Sequence, residues 1–277
     1  MTILEAAFAG TPLPCPVIDA HTHIGPCHMS GWHQKYDRIY TGLVLEDLAR
    51  LGIDCIVTAP HPIIQGRMEE ANAIAAETAE KFPGKVYGYI SIVPACGMDA
   101  VKKELETYGK NLNFLGLKFL TDYHGDLLQP EYEYAMDFAD EMGCPVLCHE
   151  YDNIPDHKEF VKALKTRHNM KLLIAHQGGG FAEHTRACAP IVRDHENAYM
   201  ELCGSLDNAL PVEVIVDLVG EEKVIFGTDA INLDPKYELG KVAFSPLAEE
   251  TKRKIFAENY IKLSANSAMG SIWTFDK

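Results

Sequence analysis

Several features of membrane, secreted and nucleic-acid-binding proteins are missing from this sequence. No apolar run approaches the roughly 18 residues that a membrane-spanning helix needs. Residues 1–16 lack the basic segment and following apolar segment of a secretion signal. Lys and Arg number 25 against 40 Asp and Glu, so the formal net charge is −15, which disfavours binding to a polyanion. We therefore expect a cytoplasmic protein with a small-molecule substrate, no nucleic-acid partner and no membrane contact.

The sequence also lacks low-complexity segments and a linker that would divide it. Hydrophobic residues make up 47% of the chain and charged residues 23%, which is typical of a globular enzyme. The eight cysteines are scattered, and Cys55, Cys144 and Cys148 lie in apolar runs. These positions indicate reduced thiols in a core rather than a disulfide framework. We expect one domain over residues 1–277.

Short apolar runs alternate with segments of helical periodicity along the chain. The predicted strands are 17–23, 53–58, 86–93, 114–120, 145–149, 171–176, 198–202 and 223–229. The predicted helices are 44–51, 68–82, 99–108, 132–142, 160–167, 182–193, 211–219 and 246–257. Continuously apolar strands that alternate with helices favour a parallel sheet covered by helices. Eight such units favour an α/β fold of the (β/α)8 TIM barrel type over a doubly wound open sheet, with the barrel core at about residues 17–262.

Ionisable residues close five of the predicted strands. Alternation along the first strand places Asp19, His21 and His23 on one face, and imidazoles on one face suit a transition metal. The other four residues are Lys118, His149, His176 and Asp229. Because the C-terminal ends of barrel strands form the active site in this fold, these five ends predict one metal-containing site.

These segments resemble the amidohydrolase superfamily, and within it the amidohydrolase-related group that includes aminocarboxymuconate-semialdehyde decarboxylase. The segments that carry the resemblance are 18–23, 116–118, 148–150, 175–179, 226–229 and the region of Asn259. The resemblance implies a divalent metal ion, with zinc expected ahead of manganese or iron and one ion expected ahead of two. The implied ligands are His21, His23, His149 and Asp229.

The same resemblance assigns roles to two further residues. His176 would donate a proton, polarise a carbonyl or bind a second metal, and Lys118 would be a ligand only if it is carbamylated. Asp229 would also carry protons during catalysis, while Asp19 is expected to orient the ligands from behind them. Strand seven departs from the family pattern, because Glu201-Leu202-Cys203 stands where an Asp-Thr or Asp-Ser step is expected. Any role for that strand is therefore in doubt.

Residues near the predicted rim are candidates for substrate contact. They are His61, Arg67, Trp32 and Tyr123. The C-terminal residues Met269, Ile272, Trp273 and Phe275 are apolar, and they are expected to cover either the barrel floor or a neighbouring subunit of a homo-oligomer.

The predicted centre is compatible with more than one reaction. The leading hypothesis is a metal-dependent hydrolase of a small lactone, amide or ester, in which a metal-activated water attacks the carbonyl. The alternative is a metal-dependent decarboxylase or hydratase of a small carboxylic acid. A hydrolase of nucleic acid is disfavoured by the negative charge, and a barrel that only binds ligand is disfavoured by the complete set of ligand residues.

Overall fold

The computed structural model describes residues 1–26, 41–149, 157–204, 210–265, 267–269, 273 and 275. Within them, eight parallel strands form one sheet in chain order. The strands are β1 Ile18–Thr22, β2 Cys55–Thr58, β3 Val86–Ser91, β4 Phe114–Leu120, β5 Pro145–His149, β6 Lys171–Ile174, β7 Ala198–Glu201 and β8 Val224–Ile225. The predicted (β/α)8 TIM barrel is confirmed.

Helices follow most strands and cover the outside of the sheet. They are α1 Ile3–Ala9, α2 Thr41–Arg50, α3 Met68–Lys81, α4 Met98–Tyr108, α5 Thr121–His124, α6 Pro130–Met142, α7 Lys158–Thr166, α8 His176–Gly179, α9 Ala182–Asp194, α10 Val212–Val219, α11 Pro235–Ala243, α12 Glu249–Arg253 and α13 Asn259–Ser264. A π-helical turn, Lys254–Glu258, joins α12 to α13, and 3₁₀ turns occur at His61–Gln65, Pro94–Cys96 and Glu221–Lys223. No helix in these described ranges is long and apolar enough to cross a membrane.

Backbone hydrogen bonds between β1 and the segment after β8 close the barrel. The Ala20 amide donates to the Phe226 carbonyl at 3.1 Å, and the Asp229 amide donates to the His21 carbonyl at 2.8 Å. A parallel bridge also joins Thr22 to Ala230. Residues 226–230 therefore run beside β1, although regular β8 ends at Ile225. This arrangement places Asp229 next to His21 and His23.

Strand register carries Lys118 to the interior of the barrel. Lys118 is the register partner of Leu147, which in turn pairs with Leu173, and both leucines belong to the interior apolar cluster. The other strand faces pack against the helices in the larger apolar cluster, which contains Val146 and Leu172. The parallel strands thus direct their last polar side chains toward one end of the barrel.

The opposite end of the barrel is filled by aromatic side chains. Tyr89 and Tyr260 are buried and their hydroxyl oxygens lie 2.8 Å apart. The Trp273 ring lies 5.0 Å from that of Tyr87 and 6.0 Å from that of Tyr260. Trp273 and Phe275 therefore cover the barrel floor, as one of the two expectations for the C-terminal residues predicted.

Candidate metal centre

Three of the predicted ligands lie together at the C-terminal end of the barrel. His21, His23 and Asp229 each offer one ligand atom, and these atoms all lie within 4.8 Å of one another. Asp229 Oδ1 is 3.2 Å from His23 Nε2 and 3.9 Å from His21 Nε2. Two imidazoles and one carboxylate are a donor set that zinc, manganese or iron accepts.

In both His21 and His23, the ring nitrogen that points away from Asp229 is Nδ1, and it lies beside a hydrogen-bond acceptor. His21 Nδ1 lies 2.9 Å from Glu201 Oε2, and His23 Nδ1 lies 2.6 Å from the Ala59 carbonyl oxygen. A proton on Nδ1 satisfies each acceptor and leaves the Nε2 lone pair facing Asp229. This arrangement is the usual preparation of histidine for binding a metal, so the residues present fit a divalent ion.

Asp229 is fixed by its backbone and by its neighbours. Its φ of 56° is left-handed, a conformation that non-glycine residues rarely adopt outside functional sites. Asn232 donates a hydrogen bond of 3.0 Å from Nδ2 to Asp229 Oδ1. Burial acts to raise the pKa of Asp229, but the adjacent His23 ring and the other neighbouring imidazoles hold the pKa well below its usual range. Asp229 is therefore a carboxylate at neutral pH.

Asp19 supports the centre through the backbone rather than through the imidazole rings. Its carboxyl group accepts bonds from Thr228 Oγ1 at 2.5 Å, from the Thr228 amide at 3.0 Å and from the His21 amide at 3.2 Å. A register shift between Asp19 and Thr22 interrupts the alternation of β1. Asp19 therefore ties β1 to the residue before Asp229, and a role in orienting the ligands stays a prediction.

His149 and His176 form a second imidazole pair beside this group. His176 Nε2 lies 2.8 Å from His149 Nδ1, and the His176 ring lies 5.2 Å from that of His21. Burial lowers the pKa of His176 to about 3, assisted by the neighbouring His21 ring, and burial likewise lowers the pKa of His149. Both rings are therefore neutral near pH 7. His149 contacts His176 and Asp122 and is outside the compact three-residue group, so its role as the fourth ligand remains a prediction.

Lys118 is completely buried beside His21. Its Nζ lies 2.8 Å from His21 Nε2, and burial lowers the pKa of its ammonium group. An ion that uses the same Nε2 lone pair requires Lys118 to withdraw or to be modified. Carbamylation of Lys118 remains a prediction.

Glu201 and Cys203 are site residues that the sequence left in doubt. Burial acts to raise the pKa of Glu201, but the adjacent His21 ring and the hydrogen bond from its Nδ1 lower that pKa to about 2. Cys203 Sγ lies 3.0 Å from His21 Nδ1 and 3.2 Å from His176 Nδ1. The signal that points to them is alternation at the end of strand seven, which places an acid and a thiol on one face. The family pattern instead predicts an Asp-Thr or Asp-Ser step at this strand.

The predicted substrate contacts differ in where they lie. His61 is buried with its ring stacked 5.2 Å from that of His23, and His61 Nε2 lies 2.7 Å from Asn232 Oδ1. Tyr123 is 48% exposed, and its ring lies 5.5 Å from that of His149. Both residues therefore border the site. Arg67 instead pairs with Glu70 and Gln65 on a partly exposed surface, and Trp32 lies outside the described residues.

A family match covers nearly the whole barrel. Residues 18–263 match the family described as Amidohydrolase. The chain belongs to the amidohydrolase family. No curated protein matches this amidohydrolase significantly.

Solved structures with the same fold include several decarboxylases. The 2,6-dihydroxybenzoate decarboxylase from Rhizobium is 15% identical with a TM-score of 0.68, and the match covers 90% of this chain and 98% of that chain. The 5-carboxyvanillate decarboxylase from Sphingomonas paucimobilis is 13% identical with a TM-score of 0.70, covering 90% and 99%. The dihydroxybenzoic acid decarboxylase from a Polaromonas species, which has bound manganese, is 15% identical with a TM-score of 0.70, covering 90% and 96%. At these identities the likeness shows the fold.

Proposed function

We propose that this amidohydrolase is a metal-dependent decarboxylase of a small carboxylic acid, rather than the hydrolase that was the leading sequence hypothesis. The observation that carries the proposal is the compact group of His21, His23 and Asp229 beside two neutral imidazoles at the end of a barrel. Several of the structures with the same fold support the choice of reaction, because they are decarboxylases of oxygen-substituted benzoic acids. Hydrolysis is supported only by membership of the family.

The metal requirement follows from the donor set. His21, His23 and Asp229 would hold one divalent ion, with His149 as the predicted fourth ligand. When bound, the ion supplies positive charge that attracts a substrate carboxylate and stabilises negative charge as carbon dioxide leaves. The imidazole and carboxylate ligands that bind zinc also bind manganese, and manganese is present in the Polaromonas structure.

The chain's own residues then supply a proton and a polar surface. Decarboxylation breaks the bond between the carboxylate group and the carbon atom that bears it. That carbon atom then takes one proton from solvent in place of the carboxylate group. Asp229 is a carboxylate that contacts His23 and Asn232, and in this proposal it would accept that proton and deliver it. His176 is neutral and buried, and it would donate its N–H to a substrate oxygen without carrying charge into the site.

The proposal is tested with a panel of small acids in heavy water. Metal-free protein is reconstituted with manganese or zinc and incubated with 2,6-dihydroxybenzoate, 5-carboxyvanillate and unsaturated aliphatic acids. We expect carbon dioxide release from at least one acid and one deuterium at the former carboxylate-bearing carbon, detected by NMR. Asp229→Asn should lower kcat by about 100-fold or more, because the proton carrier and a metal ligand are both lost.

A parallel panel of lactones, esters and amides decides between the two reactions. Incorporation of one labelled oxygen from water into a product, with no carbon dioxide released from any acid, would restore hydrolysis as the function. Activity toward acids that survives exhaustive chelation would contradict the metal requirement. Tyr237→Phe is the control variant, because Tyr237 is 72% exposed on α11 and contributes to neither imidazole pair.

A further inference from the structure

Three polar atoms converge on the thiol of Cys203. Cys203 Sγ lies 2.9 Å from Glu201 Oε2, 3.0 Å from His21 Nδ1 and 3.2 Å from His176 Nδ1. All four side chains are at most 2% exposed. These four buried side chains need enough protons, or a bound cation, between the lone pairs of their polar atoms.

Each contact of the thiol depends on where the shared protons lie. A neutral His21 has one ring proton, and on Nδ1 it goes to Glu201, because Nε2 accepts from Lys118. The thiol donates its one proton to Glu201 Oε2, and its sulfur accepts the ring proton that a neutral His176 carries on Nδ1. A bound cation would replace the thiol proton and accept the lone pairs of the sulfur and the imidazole nitrogens directly.

We propose that Cys203, His176 and His21 form a binding site for a thiophilic divalent cation, such as zinc or cadmium. One ligand atom from each of these residues lies within 4.8 Å of the other two. Their sulfur and imidazole donors differ from the imidazole and carboxylate donors of the His21, His23 and Asp229 group. Soft ions therefore prefer the thiol site, whereas manganese prefers the group with Asp229.

Sharing of His21 makes the two sites compete. A neutral imidazole has one lone pair, so His21 can ligate through Nδ1 at the thiol site or through Nε2 beside Asp229. Binding at the thiol site also breaks the contact between His21 and Glu201 that orients Nε2. An ion at Cys203 would therefore withdraw His21 from the group proposed for catalysis.

Binding of the cation is balanced by release of one proton. The S–H bond of Cys203 breaks as the sulfur–metal bond forms. Glu201 Oε2, 2.9 Å away, is placed to take this proton and pass it to water. No electron transfer is involved, so no oxidant or reductant is required.

The experiment is a titration of metal-free protein with cadmium, followed by ultraviolet absorption. A thiolate-to-cadmium charge-transfer band reports a sulfur–cadmium bond directly and does not depend on enzymatic activity. Cys27→Ser and Cys96→Ser are placed in the background, because Cys96 is exposed and Cys27 is outside the described residues. We expect the band to saturate at one cadmium per chain in this background, with loss of one proton.

Two variants and a matched control identify the sulfur. Cys203→Ala should abolish the band, whereas Cys55→Ala, which removes another buried thiol, should leave it unchanged. His176→Gln keeps the thiol and should raise the half-saturating cadmium concentration by at least about tenfold. Circular dichroism confirms that each variant is folded. A missing band in the background protein, or a band that survives Cys203→Ala, would overturn the site without bearing on decarboxylation.

Discussion

Glu201 determines which nitrogen of His21 faces the predicted metal. Its Oε2 lies 2.9 Å from His21 Nδ1, and its Oε1 accepts a 2.7 Å bond from the Cys203 amide. Glu201→Gln keeps the shape but removes the charge that holds the Nδ1 proton. We expect metal affinity, measured by competition with a chelating dye, to fall about 10–100-fold.

A second buried glutamate provides the control for that prediction. Glu104 accepts a 2.8 Å bond from Asn72 Nδ2 between α3 and α4, away from the imidazoles. Glu104→Gln should leave metal affinity within about twofold of the wild type, since a remote carboxylate does not orient a ligand. Equal affinity losses in both variants would show a general structural effect and not an effect on His21.

Gly227 is required by the close approach of Glu201. A Cβ at position 227 would lie 2.1 Å from Glu201 Oε1 and 2.8 Å from His21 Cβ. We expect Gly227→Ala to displace Glu201, to weaken metal binding and to lower the free energy of unfolding by about 1–3 kcal/mol. Gly42→Ala is the control, because among the described residues its Cβ would contact Phe82 alone, at an ordinary 3.8 Å. Unchanged metal affinity in Gly227→Ala, measured with the same dye, would contradict this account of the site.

At the residue scale, the sequence predicted three residues that the structure brings together, but not the residues that contact them. His21, His23 and Asp229 were identifiable because they close strands and because the family resemblance marks them. The roles of Glu201 and Cys203 depend on contacts across the barrel between β7 and β1, which no local pattern contains. The position of His149 relative to the metal group likewise depends on how its ring packs against His176.

Asp19 links two elements that are distant in sequence, β1 and the segment after β8. Burial raises its pKa to about 8, although the hydrogen bonds from Thr228 and His21 act to lower it. Between the ordinary pKa of 3.8 and about 8, the folded protein therefore holds a proton that the unfolded chain releases. This contribution to stability is complete below the lower value and is lost as pH rises through the upper one.

Asp19→Asn tests this linkage because asparagine does not titrate. The difference in unfolding free energy between wild type and variant should fall as pH rises from about 5 to about 8, by at most about 1.4 kcal/mol per pH unit. Urea unfolding of the metal-free proteins at several pH values measures it. A difference that is constant with pH, or that grows, would show that Asp19 is ionised throughout.

At the element scale, the strands were predicted more accurately than the connections. The bounds of β4 and β5 agree with prediction because polar or turn-forming residues flank each apolar run. Regular β8 is only Val224–Ile225, whereas Asp229, the predicted last residue of that strand, adopts a left-handed conformation beyond it. Helix α11 was not predicted, although Asp234 caps it and Pro235 occupies its first turn, which is a recognisable start signal.

In the whole barrel, the floor contributes to stability, and the proposed chemistry takes place at the opposite rim. Trp273 packs against Tyr87 and Tyr260 and donates a 3.1 Å hydrogen bond from Nε1 to Ser264 Oγ. We expect Trp273→Ala to lower the free energy of unfolding by about 2–3 kcal/mol, because a half-buried indole is lost. Urea unfolding measures this loss, and metal affinity should not change. A loss of metal affinity in a folded Trp273→Ala protein would contradict the separation of floor and rim.

Fold class was predictable at the scale of the whole molecule because eight repeated units leave few alternatives. The reaction was not, since hydrolysis and decarboxylation use the same ligands and differ in the substrate that the rim admits. Two of the predicted rim residues, His61 and Tyr123, border the site, whereas Arg67 pairs with Glu70 instead. Rim contacts come from connections of variable conformation, so periodicity does not predict them.

A crystal structure of the manganese-loaded protein, with anomalous scattering measured at the manganese absorption edge, tests the central claim most directly. The account predicts an anomalous peak about 2.0–2.3 Å from His21 Nε2, His23 Nε2 and an Asp229 carboxylate oxygen. It also predicts that Glu201 remains bonded to His21 Nδ1. An anomalous peak elsewhere in the barrel, or none at full manganese saturation, would contradict the claim that these strand ends form a metal centre.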